Sequence, residues 1–361
     1  MTDFARDLLI WYDAQHIVLP WRGAPDPYHI WLSEIMLQQT QIATMTPYYE
    51  RFLVRFPTVE ALAAAPLDDV LKLWEGLGYY SRARNLHRAA QHITAAGGHF
   101  PTNAANLQQL PGIGRYTAGA IASIAFGERV AVLDGNVIRV LSRVFDVADD
   151  VTKPATQRNL WQMAEGLVPT ERPGDYNQAI MDLGRLICTP RTPDCAHCPV
   201  ASYCAAFHAG SQAARPVKAP KAAAPHYDMA AGVIWNATGQ LLIAQRPANG
   251  LLGGLWGFPG GKLEVGETLT DCLKRTLRET LAIDVEVDEL LTRVKHAFTH
   301  FQITVYAYEC RYLAGGSAGE PQAINDAAWQ WVMPDELDRF AFARTDRYVI
   351  DAIRAKSGRL L

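Results

Sequence analysis

Four cysteines within seventeen residues constrain this chain more than any other feature of its sequence. Their spacing is Cys188-x6-Cys195-x2-Cys198-x5-Cys204, and the loop that carries them contains three prolines and no periodic apolar face. Such a loop has no core in which to bury free thiols, so a ligand for them is expected. Four thiolates at this density bind either a tetrahedral zinc ion or a four-iron cluster, and the ligand type leaves both open. The other two cysteines, Cys272 and Cys310, lie far downstream.

A glycine-containing turn between two predicted helices lies upstream of the cysteine loop. In Leu110-Pro-Gly-Ile-Gly114, the residues Gly112 and Gly114 permit a tight turn and a close approach of the backbone to a ligand. The small residues that follow predict a helix over 117–126, and backbone N–H groups at its start favour an anion such as phosphate. Residues 107–126 are therefore predicted to form a helix-hairpin-helix motif.

Two acidic residues occupy positions that each allow two interpretations. Asp134 precedes a predicted helix over 137–144, so it is either an N-cap alone or also a catalytic carboxylate. Glu34 shares one face of the predicted helical block 28–56, interrupted near Pro47, with apolar residues. A carboxyl group on that face is either buried with a raised pKa, which suits a general acid, or reaches solvent from the first turns of its helix.

Length and composition indicate a globular chain of two or three domains. The chain has 361 residues, of which 49% are hydrophobic and 20% charged, and its net charge is −3. With so small a charge, affinity for nucleic acid has to come from a local basic face. No apolar run is long enough to span a membrane, and Asp3 and Asp7 lie where a signal peptide needs a basic and then an apolar segment. The expected location is the cytoplasm, where disulfides are rare.

The chain is predicted to divide at a short basic segment. Residues 211–225 contain three basic residues, no acidic residue and no periodicity, which is typical of an interdomain linker. Residues 1–210 are predicted to be helical, and residues 226–361 to be α+β. Further helices are expected at 4–15, 68–75, 81–96, 266–282 and 345–356. Strands are expected at 229–235, 240–245 and 329–332, with a further pair around 301–312.

The order of these motifs resembles that of a known superfamily. Glu34, the hairpin, Asp134 and the cysteine loop follow one another as in helix-hairpin-helix base-excision DNA glycosylases with an iron–sulfur cluster, and the similarity extends over about residues 21–204. It implies an all-α catalytic domain, a [4Fe–4S] cluster held by the four cysteines, and a catalytic role for Asp134. Members similar to endonuclease III have a Schiff-base lysine where Tyr116 stands here. Because a phenol forms no imine, the resemblance implies a monofunctional glycosylase without strong lyase activity.

Two further motifs resemble the adenine DNA glycosylase (MutY) family. They are Ser33-Glu-x-Met-Leu-Gln-Gln-Thr40 and Gly76-Leu-Gly-Tyr-Tyr80. By this resemblance, Glu34 protonates a flipped adenine at N7 and later helps to activate water. Asp134 stabilises the oxocarbenium-like sugar or forms a transient ester with it, and Tyr116 and Asn136 position the two carboxylates. One carboxyl group kept protonated and one kept ionised is the combination that glycosidic cleavage needs.

The same resemblance implies contacts with the adenine and with the base stack. Arg22 and Leu37 line the adenine pocket. Gln39 and Tyr79 fill the stack that the flipped base vacates, an extrusion that costs roughly a few kcal/mol. From the sequence alone, Tyr79 in its glycine-flanked loop is either such a wedge or a packing residue.

Contacts with the DNA backbone are implied at the hairpin and beside the cysteine loop. Gly112 and Gly114 are the DNA-binding residues of the hairpin, and Arg185 and Arg191 near the cluster are expected to meet phosphates. Ile138 departs from the pattern, since several members of the family have a lysine at this position.

A second resemblance covers the C-terminal part of the chain. Gly261-x5-Glu267-x7-Arg275 begins like the Nudix box of diphosphate hydrolases, but threonine replaces two of the three glutamates that follow. Glu267 and Glu279 alone are too few oxygen ligands for magnesium, so a Nudix-like fold without hydrolysis is expected. In adenine DNA glycosylases such a domain contacts 8-oxoguanine through a Phe-Ser-His loop, which here reads Phe298-Thr299-His300. Threonine retains the hydroxyl that can hydrogen-bond to the lesion and adds a methyl group.

Together these resemblances imply hydrolysis of the N-glycosidic bond of adenine opposite 8-oxoguanine or guanine in double-stranded DNA, during base excision repair. The enzyme is expected to act as a monomer at the nucleoid of a bacterial cytoplasm, with no membrane partner. One alternative is an oxidised-nucleotide diphosphatase of the Nudix type with a DNA-binding helical domain, and another is a lesion-binding module without catalysis. The interrupted Nudix box argues against the first alternative, and Glu34 on an apolar face argues against the second.

Overall fold

The computed structural model describes residues 2–23, 26–220, 223–313 and 320–357, and the chain forms two compact units. The first unit comprises Met1–Ala64 and Asn85–Lys221, and the second comprises Ala65–Arg84 and Ala222–Leu361. Residues 65–84 therefore group with the C-terminal part of the chain, although the sequence pattern places them in a helical domain of residues 1–210. Within the described ranges, no helix is both long and apolar enough to cross a membrane.

The first unit is helical, and the second adds helices to one mixed sheet. The helices are α1 (Asp3–Ala14), α2 (Pro27–Leu37), α3 (Ile42–Arg55), α4 (Val59–Ala64), α5 (Leu67–Trp74), α6 (Ser81–Ala95), α7 (Ala104–Leu107), α8 (Arg115–Phe126), α9 (Gly135–Val144), α10 (Pro154–Leu167), α11 (Pro173–Leu186), α12 (Ala205–His208), α13 (Leu269–Leu281) and α14 (Arg344–Ser357). The strands are β1 (His226–Trp235), β2 (Leu241–Gln245), β3 (Trp256–Gly257), β4 (Gly260–Lys262), β5 (Val285–Ala297), β6 (Gln302–Tyr312) and β7 (Ala328–Val332). The predicted fold class is confirmed.

The predicted helical block 28–56 consists of two helices that separate at Gln39 and not at Pro47. Helix α2 begins after Asp26, whose carboxylate accepts a hydrogen bond from the Tyr28 N–H at 2.8 Å. Gln39 has a φ of 57°, which is incompatible with a continuing α-helix. Pro47 lies inside α3, where it removes one N–H donor without ending the helix. The position expected for the interruption is therefore wrong.

Helix α11 packs closely against α8 and α9 because two of its residues are glycine. A Cβ atom at Gly174 would lie 2.5 Å from the carbonyl oxygen of Ser123, and a Cβ atom at Gly184 would lie 2.8 Å from the Cβ of Asn136. The apolar core beside these contacts includes Val140, Leu141, Leu160, Tyr176 and Leu183. The backbone of α11 thus sets the position of the first residues of α9.

The segment 211–225, predicted to be an interdomain linker, begins as a folded part of the first unit. A 3-10 turn covers Gln212–Ala214, and the Arg215 guanidinium pairs with Asp146 at 2.8 Å. The Val151 N–H donates to the carbonyl oxygen of Val217 at 3.0 Å. These contacts hold the chain on the helical unit as far as Val217.

The sheet of the second unit has the strand order β3-β2-β1-β6-β5, with β4 paired to β1 and β7 paired to β2. β1 is parallel to β6, and the other named pairs are antiparallel. Adjacent residues of β1 point to opposite faces, as the pleat requires: Val233 packs in a cluster with α14, and Ile234 packs in a cluster with α13. The sheet is therefore covered by one helix on each face.

Residues 65–84 are held in the second unit by polar contacts. The Arg347 guanidinium forms an ion pair with Glu75, with Nη2 and Oε2 2.9 Å apart. Lys72 donates to the carbonyl oxygen of Phe340 at 3.0 Å, and Arg84 donates to that of Gly253 at 2.7 Å. The glycine-flanked loop between α5 and α6 is thereby anchored to the same unit as the sheet.

Candidate active site

Glu34 is buried within the first unit and carries a raised pKa. It lies on α2 and is 6% exposed, so the alternative of a glutamate that reaches solvent is wrong. The pKa of Glu34 is raised to about 7, because burial and the nearby Asp134 raise it by more than the hydrogen bond from Tyr116 lowers it. The Tyr116 hydroxyl donates to Oε2 at 2.7 Å. This carboxyl group can therefore hold a proton near neutral pH.

Asp134 is the N-cap of α9 and also faces the site. Its Oδ1 accepts hydrogen bonds from the N–H groups of Asn136 at 2.9 Å and Val137 at 2.7 Å. Its Oδ2 accepts a hydrogen bond from the Asn136 side-chain amide at 2.9 Å. Burial raises the pKa of Asp134, and these three donors lower it in part because they bind the ionised form. Asp134 thus caps α9 and lines the cavity at the same time.

One cavity of the first unit brings seven of the predicted residues together. Its empty space is about 2230 Å³ and is open to solvent. The predicted residues that line it are Arg22, Glu34, Leu37, Gln39, Tyr116, Asp134 and Asn136. Arg22 is fixed by an ion pair with Asp182 at 2.7 Å, and its buried Nε has no hydrogen-bond partner among the described residues. The cavity therefore presents a protonatable carboxyl group, a hydrogen-bonded carboxylate and a cation to a ligand.

The two hairpin glycines lie outside the lining of this cavity. Gly112 has a φ of 77°, and a Cβ atom there would lie 2.6 Å from the Cβ of Asn85, so both the backbone and the space require glycine. Gly114 is the N-cap of α8 and supplies no side chain to the first N–H groups of that helix. Those donors are consequently available to an anion.

Tyr79 and residues 298–300, predicted to contact the base stack and the opposite base, lie in the second unit. Tyr79, 44% exposed and with a φ of 47°, has its hydroxyl oxygen 2.8 Å from the hydroxyl oxygen of Thr299. Thr299 and His300 are exposed in the turn between β5 and β6. Phe298, in the same turn, packs against Phe301 with ring centroids 4.7 Å apart. Tyr79 and the 298–300 turn therefore present neighbouring groups on one surface of this unit.

The four cysteines of the loop surround a separate cavity of the first unit. Cys188, Cys195, Cys198 and Cys204 line it together with apolar residues such as Val140, Leu183 and Ile187, and none forms a disulfide. Arg143 donates to the sulfur of Cys188 at 3.2 Å. Burial raises the pKa of the Cys198 thiol to about 11, so a bound metal is needed to hold it as a thiolate. Four thiols around one space fit an iron–sulfur cluster or a zinc ion.

Arg139, which the sequence patterns did not single out, connects Asn136 to the cysteine loop. Its Nη2 donates to Asn136 Oδ1 at 2.9 Å and to the carbonyl oxygen of Gly184 at 2.6 Å. Its Nε donates to the carbonyl oxygen of Cys188 at 2.7 Å. The side chain is buried, and burial lowers the pKa of its guanidinium group. One side chain therefore holds the start of α9, helix α11 and the loop together.

We expect Arg139→Met to lower the free energy of unfolding by about 2–4 kcal/mol, because the buried carbonyl oxygen of Gly184 and the half-buried oxygens of Asn136 and Cys188 lose their donor. The measurement is the denaturant midpoint of the cluster-containing protein. Arg158, exposed on α10, is the matched control, and Arg158→Met should change stability by less than about 0.5 kcal/mol. An Arg139→Met protein as stable as the control would show that these hydrogen bonds do not hold the region together.

One face of α11 also lines the larger cavity; the sequence patterns pointed to its Arg185 only as a phosphate contact and did not single out its other residues. This face consists of Gln178, Met181, Asp182 and Arg185. Their spacing of three, four and seven residues is that of one helical face, so helical periodicity is the signal that would have found them. Arg185 pairs with Asp182 at 3.0 Å and so lies at the cavity as well as near the cysteine loop.

The carboxylates of the interrupted Nudix box are engaged by an arginine. Arg275 donates to Glu267 from Nε at 2.8 Å and from Nη2 at 2.9 Å, and its Nη1 donates to Glu279 at 3.1 Å. This pairing lowers the pKa of Glu267 to about 2. The helix α13 thus carries an intramolecular ion network.

Three family models match the chain. The model of the HhH-GPD superfamily base excision DNA repair proteins matches residues 32–165, and that of the NUDIX domain matches residues 230–352. The model of the iron–sulfur binding domain of endonuclease III matches residues 188–204. The four-cysteine loop is therefore an iron–sulfur site, the [4Fe–4S] site of such glycosylases, and not a zinc site.

Whole-chain comparisons agree with these matches. The adenine DNA glycosylase of Mus musculus is 37% identical over 387 aligned positions, which cover 91% of this chain and 75% of the mouse protein. That of Homo sapiens is 38% identical, covering 85% of this chain and 67% of the human protein. The solved structure of a thermostable thymine-DNA glycosylase is 30% identical with a TM-score of 0.52, and covers 57% of this chain and 95% of that protein. The chain belongs to the adenine DNA glycosylase family, whose members are DNA-binding base excision repair enzymes that hydrolyse N-glycosyl bonds.

Proposed function

We propose that this enzyme removes adenine paired with 8-oxoguanine or guanine from double-stranded DNA by a monofunctional mechanism. The observation that carries the proposal is the pair of carboxyl groups in one cavity with different environments. Glu34 is buried beside the Tyr116 hydroxyl, and the pKa of its carboxyl group is raised to about 7. Asp134 accepts three hydrogen bonds. That combination suits protonation of a leaving base and stabilisation of a cationic sugar. Tyr116 occupies the place of the lyase lysine and forms no imine.

In the proposed reaction, Glu34 transfers its proton to N7 of adenine, and the bond between C1′ and N9 breaks with its electron pair leaving on the base. The positive charge that develops on the sugar is stabilised by the Asp134 carboxylate, which Asn136 holds in place. Water then attacks C1′ and gives a proton to the Glu34 carboxylate, which restores the acid. Arg22 and Leu37 line the same cavity and are proposed to orient the base. Each step uses a group that the cavity already presents.

Recognition of the opposite base is proposed to reside in the second unit, with residues 226–361 as its recognition domain. Tyr79 lies in an exposed loop, and Thr299 offers one donor and two acceptor positions beside it. We propose that Tyr79 and Gln39 fill the stack and that the 298–300 turn contacts 8-oxoguanine. Gly112 and Gly114 are proposed to bring backbone donors to a phosphate.

The [4Fe–4S] cluster is proposed to have a structural role, with the four cysteines as its ligands. Bound there, it supplies a cross-link among Cys188, Cys195, Cys198 and Cys204 that orders the loop. Arg143 donates to the Cys188 sulfur, to the Thr189 carbonyl oxygen at 2.8 Å and to that of Pro190 at 3.2 Å, which orients the chain around the ligands. Arg185 and Arg191 are proposed to meet DNA phosphates from this side.

We further propose a monomer that acts in the cytoplasm of a bacterium, at the nucleoid. The substrate is DNA, and unpaired cluster cysteines are typical of a reducing compartment. All seven groups proposed for the catalytic cavity come from one copy of the chain. A single sedimenting species of about the chain mass, 39.9 kDa, is the expected result of analytical ultracentrifugation.

We expect Tyr116→Phe to move the pH profile of excision to higher pH. Glu34 must be protonated to act, so the single-turnover rate of the native enzyme should fall as the pH rises through about 7. The Tyr116 hydrogen bond lowers the pKa of Glu34, so its loss raises that pKa and shifts the falling limb upward. Tyr176→Phe is the control, because the Tyr176 hydroxyl is buried without a hydrogen-bond partner among the described residues. An unshifted profile for Tyr116→Phe would leave Tyr116 with a packing role only.

The proposed specificity is tested by single-turnover excision from a duplex with one adenine opposite 8-oxoguanine, followed by alkali. The same duplex with adenine opposite thymine is the control. We expect breakage of the adenine strand of the first duplex, dependent on alkali because the enzyme leaves an intact abasic strand. Breakage without alkali would overturn the monofunctional chemistry, and equal breakage of both duplexes would overturn the proposed mispair.

A further inference from the structure

The Tyr116 hydroxyl lies between two acceptors of different strength. Its oxygen is 2.7 Å from Oε2 of Glu34 and 3.3 Å from the sulfur of Met181. A carboxylate oxygen is a strong acceptor, whereas a thioether sulfur is a weak acceptor and has no proton to donate. A phenol has a single hydrogen, so it can donate fully to one of these two groups at a time. The contact with sulfur is therefore available for a different protonation state of the site.

Met181 faces this hydroxyl because of its position on α11. It belongs to the face of that helix that lines the Glu34 cavity, and its half-buried side chain packs against the core of the first unit. Met163 on α10 is also half-buried and packs against the same core. Of these two described methionines, Met181 alone contacts the Tyr116 hydroxyl. The pair therefore separates the effect of this contact from the effect of apolar packing.

The two protonation states of Glu34 use the Tyr116 hydrogen differently. When Glu34 is ionised, the hydroxyl donates to the carboxylate. When Glu34 is protonated, its own O–H can donate to the Tyr116 oxygen, and the Tyr116 hydrogen then needs another acceptor. A hydroxyl that is left without an acceptor away from water costs free energy, and the Met181 sulfur lies at a distance that avoids this cost. The sulfur therefore favours the protonated form of Glu34.

We propose that Met181 is a positioning residue that keeps Glu34 in its acid form by accepting the hydrogen of the Tyr116 hydroxyl. This inference rests on the proposed role of Glu34 as the general acid. When the proton passes from the Glu34 carboxyl group to adenine N7, the Tyr116 hydroxyl turns from the sulfur back to the carboxylate and stabilises the charge left there. Met181 itself neither gains nor loses a proton.

The other charged groups of the cavity act independently of the sulfur. Those that line it with Glu34 and Tyr116 are Arg22, Asp134, Asp182 and Arg185. Asp134 raises the pKa of Glu34, and Arg22 lowers it. Asp182 is held between two arginines, at 2.7 Å and 3.0 Å. Leucine at position 181 retains an apolar side chain of similar size and leaves all of these charges in place. A changed pH profile in Met181→Leu thus reports the loss of the sulfur.

The first test is the pH dependence of single-turnover excision by the cluster-containing, full-length enzyme. The falling limb of Met181→Leu should lie about half a pH unit below that of the native enzyme, because the acid form loses one weak hydrogen bond. The plateau rate at low pH should stay within about threefold. Met163→Leu is the matched control and should leave the profile unchanged. A falling limb that does not move or that moves upward would overturn the proposal, and so would a rate lowered equally at every pH.

A second variant shows whether the sulfur acts through Tyr116. In a Tyr116→Phe background, Met181→Leu should leave the falling limb where Tyr116→Phe alone places it. A shift of about half a pH unit in that background would mean that the sulfur acts by another route, which overturns the proposal.

Infrared spectroscopy of the protein without DNA measures the same proton independently of excision. The carbonyl stretch of protonated Glu34, isolated by subtracting the spectrum of Glu34→Gln, should disappear at lower pH in Met181→Leu than in the native protein. This shift together with native excision by Glu34→Gln would refute the general acid and leave the role of Met181 in holding the proton. An unshifted band together with loss of excision in Glu34→Gln would overturn the role of Met181 alone.

Discussion

Replacing Glu34 with glutamine is expected to slow adenine excision by about 10²–10⁴-fold, the usual contribution of a positioned general acid. The amide has nearly the shape of the carboxyl group and its oxygen can still accept from Tyr116, but it has no proton to transfer to adenine N7. Affinity for the substrate duplex should stay within about threefold of the native value, since Glu34 is buried in the cavity and neutral in the binding form.

The measurement is single-turnover excision beside fluorescence anisotropy with the same duplex. Glu50, exposed on α3, provides the matched control, and Glu50→Gln should change neither quantity. A Glu34→Gln enzyme with native turnover would remove Glu34 from the mechanism. Equal losses of excision and of DNA affinity would instead assign it to substrate binding.

The same substitution is expected to stabilise the protein above neutral pH. An acid whose pKa is raised to about 7 in the folded state binds protons more readily folded than unfolded, so stability falls as the pH rises from about 4.5 to 7. Glutamine cannot ionise, so it avoids a cost of up to about 3 kcal/mol at pH 8 and has no such advantage at pH 4. Thermal unfolding at the two pH values measures this difference. Equal midpoints for both proteins at pH 8 would contradict the burial of an ionised Glu34.

The second large effect on excision is expected at Asp134. The choice of substitution separates its capping of α9 from its proposed catalytic role. Asp134→Asn keeps a side-chain oxygen for the Asn136 and Val137 N–H groups, and asparagine caps helices about as well as aspartate. The charge proposed to stabilise the sugar is lost, so excision should fall by at least about 10²–10³-fold with stability lowered by about 1 kcal/mol or less. Asp134→Ala should show the same catalytic loss and also lose about 0.5–2 kcal/mol from the missing cap.

Both variants are compared by denaturant midpoint and by single-turnover excision. Thr268→Ala removes a different N-cap, the one that accepts from the Asp271 N–H at the start of α13, and serves as the converse control. It should lower stability and leave excision unchanged. Native excision by Asp134→Asn would show that capping is the sole role of this residue.

Much of the helical unit follows from local patterns in the sequence. The turn at Gly112 and the start of α8 are specified by glycine positions, and the burial of Glu34 is one of the two outcomes that its place on an apolar face allows. The end of α2 was not predictable, because Gln39 adopts a positive φ that its residue type does not favour. Pro47, which does discourage helices, lies inside one.

Contacts between distant segments account for what the sequence left open. Arg139 lies in a helix with one apolar face, a position that by itself is typical of an exposed cation. The carbonyl groups that it binds come from α11 and from the cysteine loop, which are distant in sequence. The pairing of residues 65–84 with the C-terminal unit likewise depends on Glu75 and Arg347, which are far apart in sequence. Neither local propensity nor spacing carries such information.

The glycine contacts of α11 have a consequence for how this enzyme can change over evolutionary time. Gly184 touches Asn136, and Asn136 holds Asp134, so the position of the proposed catalytic carboxylate is set by a residue that has no side chain. A single methyl group added at Gly184 would push α11 away from α9 without changing any polar or charged group. Inactivating alleles of this enzyme should therefore accumulate at α11 glycines as well as at the acids, and a variant at Gly184 would be misjudged if only the distance from its own side chain to the substrate were considered.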